Sequence, residues 1–243
     1  MGIVFALSLG ASAVYSLVRI IERVTREEAL SQQRAPIHEV LAPRPGFDLT
    51  FQLLGIVFGL APVALVLWLT WKRERPRFTA VGLTRGSGRW CLKDAGAGFA
   101  LAALIGIPGL VWYVAAKLMG INTTVVPAAL DTYWWTVPVL VLHALQAALL
   151  EEIVVVGYLF GRLRLLGLRV WPIIVVSALI RGSYHLYQGF GGFLGNVVMG
   201  LVFGWVYQRF GRVLPLIIAH WVLDIVSFVG YPLAVASFPQ WFA

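Results

Sequence analysis

Apolar runs of about 17 to 25 residues recur along this chain, the length that crosses a hydrocarbon core about 30 Å thick at 1.5 Å per helical residue. With 60% hydrophobic and only 12% charged residues among 243, and a mean hydropathy of +0.84, the composition lies far from the roughly one-quarter charged residues of a soluble domain. The expected fold is all-α: a polytopic membrane helix bundle of about seven transmembrane helices. The net charge of +8 is concentrated in connections. That suits topology and anionic headgroups, and no nucleic-acid motif is present. One cysteine, Cys91, excludes an intrachain disulfide framework and a cysteine metal cluster.

The first run, residues 1–20, has Ala11-Ser12-Ala13 in the manner of a signal-peptide cleavage site. No Lys or Arg precedes Arg19, so the basic region of a signal peptide is missing and a retained membrane segment is expected. A polar linker over 21–49 follows, in which Thr25 to Glu28 fits a capping box for a short surface helix. Further runs are expected over residues 50–71, 95–119, from the aromatic anchor Tyr133-Trp134-Trp135 to Arg162, and over 170–187, 193–207 and 213–235. Basic residues gather at Lys72, Arg73, Arg75, Arg77, Arg85, Arg89 and Lys93, again at Arg162, Arg164 and Arg169, and at Arg209 and Arg212. The connections between these groups are nearly free of Lys and Arg, an alternation that orients the second half of the bundle. The linker over 21–49 then falls on the outer side although it carries basic residues of its own. Gly191 with Gly195, and Gly200 with Gly204, have the GxxxG spacing of closely packed helices.

Within the fourth run stand two adjacent carboxylates, Glu151 and Glu152. An ionisable group at bilayer depth is costly and implies a partner. Four polar positions in the later runs supply candidates: Arg181 with His185, and His220 with Asp224, each pair spaced i, i+4 and so on one helix face. Counting from the basic ends at 1.5 Å per residue places Glu151, Arg181 and Asp224 each about 16 Å deep, with His185 about 22 Å and His220 about 10 Å. His143, about 28 Å up, falls outside this layer and reads as a packing or headgroup-level histidine. One such residue alone could be structural. The set carries a desolvation cost beyond what packing requires, and indicates a water, metal or proton site.

Two imidazoles and a carboxylate suit Zn²⁺, which in catalytic sites takes three protein ligands and a water. His185, His220 and Asp224 are the candidate ligands, with Glu151 or Glu152 moving the proton of the bound water. Neighbours on a helix point about 100° apart, so only one glutamate is expected to aim at the centre. Direct activation of water by glutamate and histidine, without metal, uses the same residues.

The order Glu-Glu then Gly-Tyr-Leu, a histidine in the next run, then His-x-x-x-Asp resembles the CPBP family of intramembrane proteases, which includes CAAX-processing enzymes and bacterial Abi-type proteins. The likeness spans residues 139–229. It implies hydrolysis of a peptide bond in a membrane-associated protein or peptide, an integral membrane protein of a bacterial plasma membrane, a glutamate as water activator, and the histidines with Asp224 as ligands of metal or water. On this reading residues 1–93 are N-terminal membrane segments with basic linkers and 94–243 a protease-like core. Two positions depart from the family's motifs: Val156 stands where an Arg precedes the Gly, and Arg181 stands where an aromatic precedes the histidine by four. Because Arg181 lies level with Glu151, the two departures read together as a cation moved from the fourth run to the fifth. A membrane scaffold of weak catalytic power is the competing function, favoured by Val156. A proton-coupled transporter ranks below both, since no inverted repeat is visible.

Overall fold

In the computed structural model the described residues are 1–70, 79–83, 88–126 and 133–237, and they form a helical bundle. The sole sheet among them is a parallel pairing of β1 (Arg34–Pro36) with β2 (Thr124–Val126). The basic cluster over 72–77 lies outside the described residues. The all-helical membrane fold holds, but five helices, not about seven, are long and apolar enough to cross a membrane among the described residues: Pro45–Leu69, Cys91–Leu118, Thr136–Leu165, Phe190–Phe210 and Leu214–Leu233.

The other two expected runs are helical but short. Residues 1–20 form α1 (Gly2–Ala6) and α2 (Leu9–Val24), broken where the Ser8 hydroxyl donates to the Val4 carbonyl at 2.5 Å. The fifth run forms α8 (Val170–His185), 16 residues or about 24 Å. The capping box at Thr25 does not open a helix. Its hydroxyl instead donates back to the carbonyls of Ile21 and Glu22, so Thr25 closes α2.

Between these stand α3 (Pro45–Gly59), α4 (Ala61–Leu69), α5 (Gly88–Leu118), α6 (Thr136–Glu151) and α7 (Leu159–Leu165), then α9 (Phe190–Phe210), α10 (Leu214–Ile225) and α11 (Tyr231–Ser237). Over half of the span Thr136–Leu165 is buried, against a third or less of the other four, so the helix bearing the glutamates is the axis of the bundle. Its apolar run faces two cores. Ile153 and Val154 pack with Val63, Val66 and Ile217, while Val155 and Val156 pack with Phe160, Ile173, Ile174 and Phe203.

Small residues set how closely α8 meets α9. A Cβ on Gly200 would lie 2.7 Å from the Ala178 Cα, and one on Gly204 would lie 3.1 Å from Ile174, so the GxxxG spacing is used for backbone approach. The chain running from α2 toward the β pair lies along α8: Leu9 joins the core around Phe160, and the Ser16 hydroxyl accepts from the Tyr187 N–H at 2.6 Å. The linker after α2 thus shares a face with β2, in the basic-poor connection between α5 and α6. Its arginines are partly absorbed locally. Arg23 donates to the Arg34 carbonyl at 3.1 Å, and Arg26 pairs with Glu22 at 2.6 Å.

Candidate active site

The central span changes pitch where the chemistry begins. α6 ends at Glu151, and Glu152–Tyr158 forms a π-helical turn before α7 resumes. Such turns are rare and concentrate at functional positions. The β-branched stretch Ile153-Val154-Val155-Val156 is stiff at χ1 and crowds a regular helical turn, which suits a wider one. Burial requires that displaced backbone groups find partners, and the Ser177 hydroxyl donates to the Val155 carbonyl at 3.1 Å.

At the start of this turn both carboxylates reach one cation. Arg181 Nη1 lies 3.1 Å from Glu151 Oε2 and Nη2 lies 2.6 Å from Glu152 Oε1. The planar fork of the guanidinium spans the two adjacent carboxylates. Arg181 is 1% exposed. Its stem passes Gly200, where a Cβ would stand 3.4 Å from the Arg181 Cδ, and its guanidinium lies 5.5 Å from the Phe203 ring centroid. Val156, at the motif position of the family's Arg, is packed in the apolar core.

The two glutamates then diverge. Glu152 is fully buried and its Oε1 also meets His220 Nδ1 at 2.7 Å, while its Oε2 is buried without a hydrogen-bond partner among the described residues. The Glu151 side chain keeps 10% exposure, and its Oε2 accepts the Tyr184 hydroxyl at 2.7 Å in addition to Arg181. His220 Nε2 faces Asp224 Oδ2 at 3.5 Å, too long for a good direct hydrogen bond. His185 points Nδ1 at the Arg181 carbonyl, 3.1 Å away. Such a bond makes Nδ1 the donor and leaves Nε2 a lone pair.

Of the six residues singled out from sequence, Glu151, Glu152, Arg181 and His220 form one contact network. Asp224 joins it through His220, and His185 through its Nδ1 contact with the Arg181 carbonyl. His143 lies apart, bonded to Gln52. Tyr184, Ser177 and Phe203 escaped the sequence reading. Tyr184 carries a usable signal, because Arg181, Tyr184 and His185 are spaced i, i+3, i+4 and so share a face of α8. Ser177 and Phe203 look like ordinary helix residues.

The donor types suit a metal, but their arrangement does not. Among the described residues no three His, Cys, Asp or Glu side chains are grouped to hold an ion. Glu152 and His220 are engaged with each other, and Arg181 supplies the positive charge that both carboxylates require.

A polytopic helical protein with a buried carboxylate, guanidinium and histidine centre on three helices is the class that fold and site define. Within it, residues 133–226 match the family model described as type II CAAX prenyl endopeptidase Rce1-like, a stretch holding every site residue named above. The match bears out the resemblance to the CAAX-processing proteases. Comparison with curated proteins and with solved structures finds no match.

Proposed function

We propose that this chain is an intramembrane endopeptidase in which Glu151 activates the water that attacks a peptide carbonyl. The observation that carries the reading is the division of labour between the glutamates. Glu151 retains an accessible carboxylate oxygen, while Glu152 is locked between Arg181 and His220. A base must reach the proton it abstracts, which favours the partly open residue. The Glu151 carboxylate takes a proton from water as the oxygen adds to the scissile carbonyl carbon, and returns it to the departing amine as the C–N bond breaks. On this reading His185, with Nε2 unprotonated, and Asp224 can each accept a hydrogen bond from the water, while His220, oriented through Nδ1 by Glu152, presents an N–H to the developing oxyanion when Nε2 is protonated. Arg181 keeps two carboxylates charged at depth, where an unpaired one would be costly.

Zn²⁺ on His185, His220 and Asp224 is the alternative means of activating water, and would require those side chains to draw together. The match to an endopeptidase family described by prenylated substrates makes a farnesylated peptide the first probe, with a palmitoylated peptide of the same sequence as the non-prenyl control. The purified full-length chain in lipid vesicles is expected to cleave at least one of them, and Glu151→Ala to abolish cleavage. Activity surviving Glu151→Ala would sink the assignment of Glu151 as base, and activity surviving Glu152→Ala as well would sink a glutamate mechanism altogether. Elemental analysis and chelator treatment decide between metal and metal-free water. Absence of both metal and cleavage favours the scaffold.

A further inference from the structure

We propose that Tyr184 is a positioning residue for the water-activating glutamate: its hydroxyl, with Arg181, ties down one oxygen of Glu151 and leaves the other to act as the base. The proposal rests on the endopeptidase reading of this site. The motifs that mark the site do not include this tyrosine.

Glu151 Oε2 accepts two donors, Arg181 Nη1 at 3.1 Å and the Tyr184 hydroxyl at 2.7 Å. Both donors come from α8 at positions i and i+3, so they sit on one face of one helix. No donor among the described residues bonds Glu151 Oε1. A carboxylate held at one oxygen from two directions cannot swing freely about its terminal torsion, and its free oxygen has a fixed direction. A glutamate otherwise carries considerable rotamer freedom, which would have to be lost again in each catalytic cycle.

Tyr184 is shaped for this task. It is 6% exposed, its ring packs in the core with Phe160 and Phe203, and its ring centroid lies 4.8 Å from that of His185. A buried phenol hydroxyl needs a partner, and among the described residues the sole hydrogen bond of this hydroxyl is to Glu151. One side chain therefore touches both the base and the neighbouring histidine. Packing alone would be served equally well by phenylalanine, so the hydroxyl is the informative atom.

Tyr184→Phe in the full-length chain keeps the ring and removes that atom. With the peptide probes in vesicles, kcat is expected to fall about 10- to 100-fold, the range of a lost hydrogen bond to a charged group. KM is expected to stay unchanged, and the thermal unfolding midpoint to fall only as far as the loss of one hydrogen bond requires. Infrared spectra of glutamate labelled with ¹³C at the side-chain carboxyl, with the Glu151 band assigned from Glu151→Gln, are expected to show that band shifted in Tyr184→Phe. An unshifted band overturns the clamp whatever the activity. A shifted band with unchanged kcat, or a loss of rate matched by a rise in KM, overturns the positioning role. If the wild type cleaves neither probe, a shifted band still supports the clamp on Glu151 while the endopeptidase reading falls.

Discussion

About two turns of α6 separate His143 from Glu151, and each of these residues anchors a buried polar cluster of a different kind. Around Glu151 the chain buries formal charges: two carboxylates on one guanidinium, with His220 closing the network. Around His143 it buries mainly dipoles. His143 Nε2 bonds Gln52 Oε1 at 2.9 Å, and Gln52 Nε2 donates to the Glu39 carbonyl at 3.0 Å and to Asp48 Oδ1 at 3.4 Å. The His38 ring stacks 4.5 Å from His143 and meets Phe228 edge-on at 4.7 Å. Asp48 is the one formal anion buried there. It sits in the first turn of α3 and accepts the Leu41 N–H at 2.7 Å, where the free N–H groups of a helix start favour negative charge. The inner cluster joins three helices and depends on every charge in it. The outer one fastens a linker to the bundle and is dispensable by parts.

The largest expected contrast is in catalysis. Glu151→Gln is expected to lower cleavage about 10²- to 10⁴-fold, the usual range for a lost general base. The protein should still fold, since the amide oxygen can accept from Arg181 and Tyr184. The matched change His143→Gln at the outer cluster should leave cleavage within a few-fold. Equal losses from both would make the two clusters functionally one.

Stability gives the next contrast. Arg181→Ala leaves two buried carboxylates without their cation, and breaking a buried pair costs about 3–5 kcal/mol. Thermal unfolding in micelles should show it as a large fall in midpoint or as failure to accumulate folded protein. Gln52→Leu removes the bridge from His143 to the linker and should cost about 1–3 kcal/mol, with cleavage retained. An Arg181→Ala protein as stable as the wild type would mean that the carboxylates are neutral, and the contrast between clusters would vanish.

The inner cluster was the more legible of the two. Periodicity and depth counting put Glu151, Arg181 and Asp224 in one layer because long apolar helices run straight enough for 1.5 Å per residue to hold. The π-helical turn over Glu152–Tyr158 was not legible, and the adjacent carboxylates both contact Arg181. Nothing in hydropathy separates a π turn from an α turn. Tyr184 was hidden by its chemistry, since a tyrosine in an apolar run reads as packing until its hydroxyl is seen on Glu151. The outer cluster was opaque for another reason. Its members Asp48, Gln52 and His143 come from distant segments, and β1 pairs with β2 over three residues too short for any alternation. A linker with Pro36, Pro43 and Pro45 gives no sign of folding back onto α6.

The smallest effect concerns the linker's own histidine. His38 lies outside the membrane spans, and burial, followed by the neighbouring His143, pushes its pKa down to about 3 from 6.5. Released into water, the imidazole regains its ordinary affinity for protons, so between pH 6.5 and 3 the detached linker binds more protons than the docked one. Docking therefore weakens as pH falls through that window and is at full strength above it. Lowering pH from 7 to 4 should lower the protection factors of amides across residues 37–44, taken against intrinsic exchange at each pH, while those of α8 and α10 stay nearly constant. His38→Phe, which keeps a ring against His143 and Phe228 but cannot take up a proton, should flatten the response. A pH response that persists in His38→Phe would shift its origin away from this imidazole, and would show that the outer cluster, like the inner one, is governed by charge.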